Sequence, residues 1–228
     1  MRSQFPPGCI SLIFFFLLVF IMPFFLANVF LSALAKLGLN PQQAIMTVIS
    51  IFIGSFINIP IKRYEREKPD TSEEVSMFGL NRSFFNSQPE SESIVLAVNL
   101  GGCIIPCLIA AYQIQLLSTR SSGTLWMCLI AIIINIIVCH RLAHPVENLG
   151  IALPALVPAL IAVGSALLLA PQDAPSIAFV SGVFGPLIGA DLLHLKEIKE
   201  LNSGIASIGG AGTFDGIVIT GILATLLA

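Results

Sequence analysis

The chain has 228 residues, of which 56% are hydrophobic and 11% charged, with mean hydropathy +0.93. A soluble domain carries roughly 25% charged residues, so this composition excludes an ordinary soluble enzyme and points to a polytopic membrane protein. The net charge of −2 says little by itself; the placement of the charges says more.

The first apolar run, residues 10–35, follows Arg2. It is too long for the h-region of a secretory signal and shows no small-residue cleavage site, so it reads as a retained transmembrane helix. Crossing the hydrocarbon core takes about 20 mostly apolar helical residues. Six further segments qualify: 44–61, 94–112, 124–140, 150–170, 176–195 and 204–227. The expectation is an all-α bundle of about seven transmembrane helices, some broken by Gly or Pro. Pro23 is placed to kink the first helix, and Pro154 and Pro158 the fifth.

With seven spans, the loops on one side hold Arg2, Lys62, Arg63, Arg66, Lys68, Arg82, Arg141, Lys196 and Lys199, while the other side holds only Lys36 and Arg120. Lys and Arg accumulate in cytoplasmic loops. The expected orientation is therefore N-terminus inside and C-terminus outside, in a prokaryotic inner membrane. The chain divides into two leading helices (1–61), a polar cytoplasmic loop (62–93) and a five-helix membrane region (94–228), all one membrane domain. The loop holds 12 of the 24 Asp, Glu, Lys and Arg residues and reads as flexible.

An internal echo runs through the chain. "GSFINIPIKRYE" (54–65) and "GADLLHLKEIKE" (189–200) each end a helix in a polar residue and enter a basic turn. "NLGGCIIP" (99–106) and "SIGGAGTFDGI" (207–217) then follow, each with a Gly-Gly pair. Asn58 corresponds to Asp191, and Asn99 roughly to Ser207. Transporters place their sites between such repeats, on helices interrupted by Gly or Pro. Gly pairs also occur simply for close helix packing.

Asp215 carries most of the functional weight. In a continuous helix over 204–227 it lies about 16 Å deep, near the midplane. A charged Asp there costs about 2.5–3.5 kcal/mol on the insertion scale, so it is expected to face the bundle and to serve function by default. Gly209, Gly210 and Gly212 weaken the helix just before it. The expected picture is a broken helix restarting near Thr213, whose hydroxyl bonds backbone or carboxylate. Asp191 lies nearer the cytoplasmic end, about 6 Å in by the same rise, with His194 three residues on. His140, His144 and Glu147 share helical spacing, but Pro145 interrupts it, and no metal is expected. The five cysteines read as small buried hydrophobes. No phosphate loop, HExxH, GxSxG or nucleic-acid stripe is present.

Together, "GSFINIP", "NLGGCIIP", "HPVENLGIALPALVPAL", "IGADLLHL" and "SIGGAGTFDGI" resemble a prokaryotic family of uncharacterised integral membrane proteins, a domain of unknown function. That resemblance implies a membrane fold and no chemistry. A more distant likeness is to the intramembrane aspartyl proteases of the presenilin and prepilin-peptidase kind. Those use one Asp on each of two helices, the second in a Gly-x-Gly-Asp string. "GAD" at 189–191 and "GTFDG" at 212–216 approximate it without matching. The Pro-Ala-Leu strings at 154–156 and 158–160 precede the aspartates here, whereas in the presenilin kind that string follows them.

Three readings follow. A transporter or ion/proton pathway would use Asp215, Thr213, Gly209, Gly210, Gly212 and Asn99, with Asn58 as the repeat counterpart and Asp191 and His194 as a cytoplasmic exit. A scaffold or assembly protein would use the aspartates as interhelical glue. An intramembrane aspartyl protease would pair Asp191 with Asp215. The partners implied are the lipid bilayer and a cation, proton or small solute. A homo-oligomer is possible, and no nucleic acid and no cofactor is expected.

Overall fold

The computed structural model describes residues 7–65, 93–146, 150–196 and 205–228. The fold is mostly helical, with a small sheet set among the helices. Helix α1 (Pro7–Lys36) is followed by α2 (Pro41–Gly54). The start of α2 is fixed by a capping box: Asn40 Oδ1 accepts from Gln43 N at 2.9 Å, and Gln43 Oε1 accepts from Asn40 N at 3.0 Å.

The expectation of an all-α bundle needs correcting at four of the predicted spans, one of which, 150–170, opens as strand β4 (Gly150–Ala152) and becomes helix only at Leu156. The span predicted over 44–61 stops as a helix at Gly54, and strand β1 (Asn58–Glu65) begins four residues on. Pro60 cannot donate in a helix, and Ile59 and Ile61 favour an extended chain. The span predicted over 94–112 opens as strand β2 (Ser93–Asn99), passes through a π-helical turn (Leu100–Ile104) and only then becomes α3 (Ile105–Arg120). The span predicted over 204–227 opens as β5 (Ile205–Ile208), turns through Gly212–Phe214 and becomes the twelve-residue α7 (Gly216–Leu227). Apolar length alone cannot tell a buried strand from a helix.

Between these lie α4 (Ser122–Leu142), the short hairpin β3 (His144–Val146) and β4 (Gly150–Ala152), α5 (Leu156–Leu169) and α6 (Ala174–Pro186). A π-helical turn, Leu187–Leu192, carries α6 onward. β2 pairs antiparallel with β1 and parallel with β5 in the order β1-β2-β5.

Three continuous helical runs, Leu100–Arg120, Ser122–Leu142 and Pro171–Leu192, are long and apolar enough to cross a membrane. α1 is an apolar helix of 30 residues, whereas α2, α5 and α7 are shorter, and α7 spans only about 18 Å. Seven continuous spans are therefore not what the described residues form. α4 shows the expected two-faced environment. Cys128, Ala131, Asn135 and Cys139 are buried along one side, and Trp126, Leu129, Ile133 and Ile137 are exposed on the other. A helix whose outward face is this apolar suits lipid rather than water.

α6 is the central helix and packs on α3, α4, α5 and α7. Small residues permit that closeness. A Cβ on Gly182 would press against the Gly221 backbone of α7, and one on Gly185 would enter the Asn135 side chain of α4. Buried polar groups are used as glue: Asn135 Nδ2 donates to Ser181 O at 2.9 Å, and Gln113 Nε2 donates to Leu37 O at 3.0 Å. At the end of the bundle away from the sheet, Lys36 Nζ donates to Leu226 O at 2.7 Å, and Arg120 pairs with Asp173.

Candidate functional site

Three interruptions of regular helix meet at one place: the end of α2 at Ser55, the entry to α3 at Asn99, and the entry to α7 over 209–215. Glycine makes the meeting possible. A Cβ on Gly101 would collide with the backbone at Ile51, Gly54 and Ser55, and one on Gly102 would collide with Gly209 O. Gly209 and Gly212 take φ values of +70° and +62°, which L side chains rarely adopt.

A hydrogen-bonded seam runs through the junction. Ser207 Oγ donates to Asn58 Oδ1 at 2.6 Å, and Asn99 Nδ2 donates to the same oxygen at 3.1 Å and to Ser55 O at 2.8 Å. Asn99 Oδ1 accepts from Gly102 N at 2.7 Å, so Asn99 caps the helix entry. Ser55 Oγ lies 2.7 Å from Ile51 O and 2.9 Å from Thr213 Oγ1. A hydroxyl has a single proton. The carbonyl can only accept, so Ser55 gives its proton to Ile51 and Thr213 donates to Ser55.

Asp215 is the N-cap of α7. Its Oδ1 accepts from Ile217 N at 3.0 Å and its Oδ2 from Ala211 N at 3.3 Å. The helix thus restarts at Gly216, three residues past the expected Thr213, with Asp215 as its cap. The carboxylate sits at a helix start, facing the positive end of the helix dipole, about 18 Å along the axis from the end that Lys36 closes. Asp191 stands on the π-helical turn after α6. α7 packs on α6, so Asp191 past the end of the one helix and Asp215 at the start of the other lie at the same end of the bundle. Both aspartates are half-buried. Two carboxylates from separate elements thus flank one glycine-rich loop, within reach of solvent.

Residues 52–227 match a family described as "Protein of unknown function (DUF1614)". The chain belongs to this family. The match begins three residues before Ser55 and covers every side chain of the seam and both aspartates, while leaving out Ile51, α1 and most of α2. Comparison with curated proteins and with solved structures found no match.

Within the DUF1614 region, Asp191, Asp215, Gly209, Gly212, Thr213, Asn99 and Asn58 gather around this junction. Gly210 lies in its exposed turn, its N–H bonded to Ser207 O at 3.0 Å. His194 is directed elsewhere. Its Nδ1 bonds Ala190 O at 2.8 Å, and its ring stacks on His140 with centroids 4.7 Å apart. His144 Nδ1 bonds Leu142 O at 3.1 Å, and Glu147 lies outside the described residues. Among the described residues no three His, Cys, Asp or Glu side chains are grouped to hold a metal.

The repeat correspondence needs adjusting. The parallel ladder sets Ser207 beside Ala97, not Asn99. Sequence reasoning missed Ser55, which looked like part of an apolar span. Its one visible signal was a hydroxyl between Gly54 and a strand-forming run. Ser207 entered only as a repeat counterpart, without its role as donor to Asn58.

Proposed function

We propose that this DUF1614 protein is an intramembrane aspartyl hydrolase of peptide bonds, with Asp191 and Asp215 as its catalytic pair. The observation that carries the reading is the placement of two carboxylates at helix breaks on neighbouring elements of an apolar bundle, Asp191 on the π-helical turn that ends α6 and Asp215 at the N-cap of α7, which packs on α6. Close carboxylates do not both ionise freely, and sharing one proton makes one a base and the other an acid. The ionised carboxylate takes a proton from water as the water oxygen bonds to the peptide carbonyl carbon. The protonated partner gives its proton to the carbonyl oxygen. As the tetrahedral carbon collapses, the C–N bond breaks and the nitrogen leaves with a proton returned by the pair.

Two further features suit a peptide substrate. β5 lies at the sheet edge among the described strands and ends one residue before Gly209. An extended peptide can add to such an edge through main-chain hydrogen bonds. Gly210 in the following turn is exposed and has no side chain to block such an approach.

A proton or cation pathway is the second reading, favoured by the seam that leads from exposed Asn58 through Asn99 and Ser55 to Thr213. The deciding experiment uses purified full-length protein with fluorogenic apolar peptides in liposomes. Under the first reading, Asp191→Asn and Asp215→Asn each lower cleavage by at least about a hundredfold. If wild type cleaves no peptide, while proton or sodium flux in the same liposomes depends on Asp215, the pathway reading replaces it.

A further inference from the structure

We infer that Thr213, Ser55 and Asn99 form a positioning chain for the aspartate pair, and that the Thr213 hydroxyl sets where Asp215 stands relative to Asp191. The inference rests on the hydrolase reading for what the positioning serves, and on hydrogen-bond direction for the chain itself.

The two aspartates are supported unequally. Asp191 stands on a π-helical turn that continues a buried helix. Asp215 follows a turn with two glycines at positive φ, closed by backbone hydrogen bonds from Gly210, Gly212, Phe214 and Asp215 N–H to carbonyls within 207–212, none of which reaches the other half of the molecule. One side-chain bond that ties it to the other half of the molecule is Thr213 Oγ1 to Ser55 Oγ, across 158 residues of sequence. Thr213 is buried, and one residue, Phe214, separates it from Asp215.

The bond has a fixed direction. Ser55 spends its proton on Ile51 O, so it can only accept from Thr213. Ser55 is held in its turn by the fully buried Asn99, whose Nδ2 bonds its carbonyl and whose Oδ1 binds Gly102 N. The order of dependence is therefore Asn99 to Ser55 to Thr213 to the Asp215 cap. The glycines reinforce it: a Cβ on Gly212 would come within 2.5 Å of Ser55 Cβ, so turn and helix end already touch. A valine at 213 keeps the shape and loses the donor, whereas a serine keeps the donor.

The test combines kinetics with infrared spectroscopy of the full-length protein in lipid. The Asp215 carboxyl band is identified by its loss in Asp215→Asn. Misplacement of a reacting group by about 1 Å can cost a hundredfold in rate. Thr213→Val is therefore expected to lower kcat by at least about tenfold with KM changed less than about twofold, and to shift the Asp215 band. Thr213→Ser restores both. Ser55→Ala reproduces Thr213→Val, and the double variant adds nothing, as expected for two ends of one bond. The inference is overturned if Thr213→Val and Thr213→Ser behave alike, or if the Asp215 band does not move in Thr213→Val. A wild type that cleaves nothing, yet shows the band shift and its rescue, refutes the hydrolase reading while the positioning chain stands.

Discussion

Asn99 and Asp215 occupy matching places. Each follows a strand, the two strands run parallel and adjacent, and each side chain caps the helix that comes next. Their surroundings differ. Asn99 is fully buried, and its amide donates twice and accepts once, all within the protein. Asp215 is half-buried, and its carboxylate receives two backbone N–H groups. An amide is saturated by fixed partners and needs no proton exchange. A carboxylate at an open junction retains acceptor capacity and can change its protonation. One architecture thus serves twice, once to hold and once to react.

Exchanging the two chemistries is the strongest way to break this comparison. Asp215→Asn keeps an oxygen for Ile217 N–H, and Asn caps about as well as Asp, so stability should change by less than about 1 kcal/mol while cleavage is lost. Asn99→Asp is expected to do the opposite. It removes the donor that serves Ser55 O and Asn58 Oδ1 and sets carboxylate oxygens against them, costing about 3 kcal/mol or more. Asn99→Ala, which only leaves groups unpaired, should cost about 2–3 kcal/mol. Thermal unfolding in one detergent compares the three. Equal losses for Asp215→Asn and Asn99→Asp would dissolve the distinction between holding and reacting.

Gly209→Ala comes next in size. It combines a φ of +70° with a Cβ 2.7 Å from Gly102 C and 2.8 Å from Cys103 Cβ. Backbone strain and overpacking together suggest a loss of about 2–4 kcal/mol. A Gly209→Ala protein with an unaltered melting temperature would mean the two halves do not press on each other at this glycine.

Much of the site was legible in the sequence because its residues are chemically out of place. Asp215 in an apolar run, three glycines just before it, and Asn99 ahead of a Gly-Gly pair all break the apolar pattern. The strands were not legible. Ile94 to Val98 and Ile205 to Ile208 are apolar runs without surviving periodicity, and what makes them strands is pairing with one another and with β1, which is tertiary information. For the same reason the residues before Asp215, a strand and a turn, read as helix. Ser55 escaped notice because its importance lies in a hydroxyl direction, which spacing cannot express. His194 looked like a partner for Asp191 at three residues' spacing. The backbone instead turns out of the α6 helix just after Asp191, which sends His194 to Ala190 O and to His140.

The smallest expected effect lies at the other end of the bundle and serves as a control on both junctions. Arg120 pairs with Asp173 there, with the Arg side chain 58% exposed and the Asp side chain 12% exposed. An ion pair with one partner in solvent is screened, and ordering a long side chain offsets part of the attraction, so the coupling in a double-mutant cycle should be below about 1 kcal/mol. It should weaken further as salt is raised. The pair joins the end of α3 to the start of α6, the same two helices whose far ends carry Asn99 and Asp191. If the junctions are set locally by the seam and the glycines, Arg120→Ala leaves the Asp215 infrared band and the cleavage rate unchanged. A changed band would mean that helix position, transmitted through α3 and α6, sets the aspartates, and the contrast between Asn99 and Asp215 would belong to the whole bundle rather than to the two junctions.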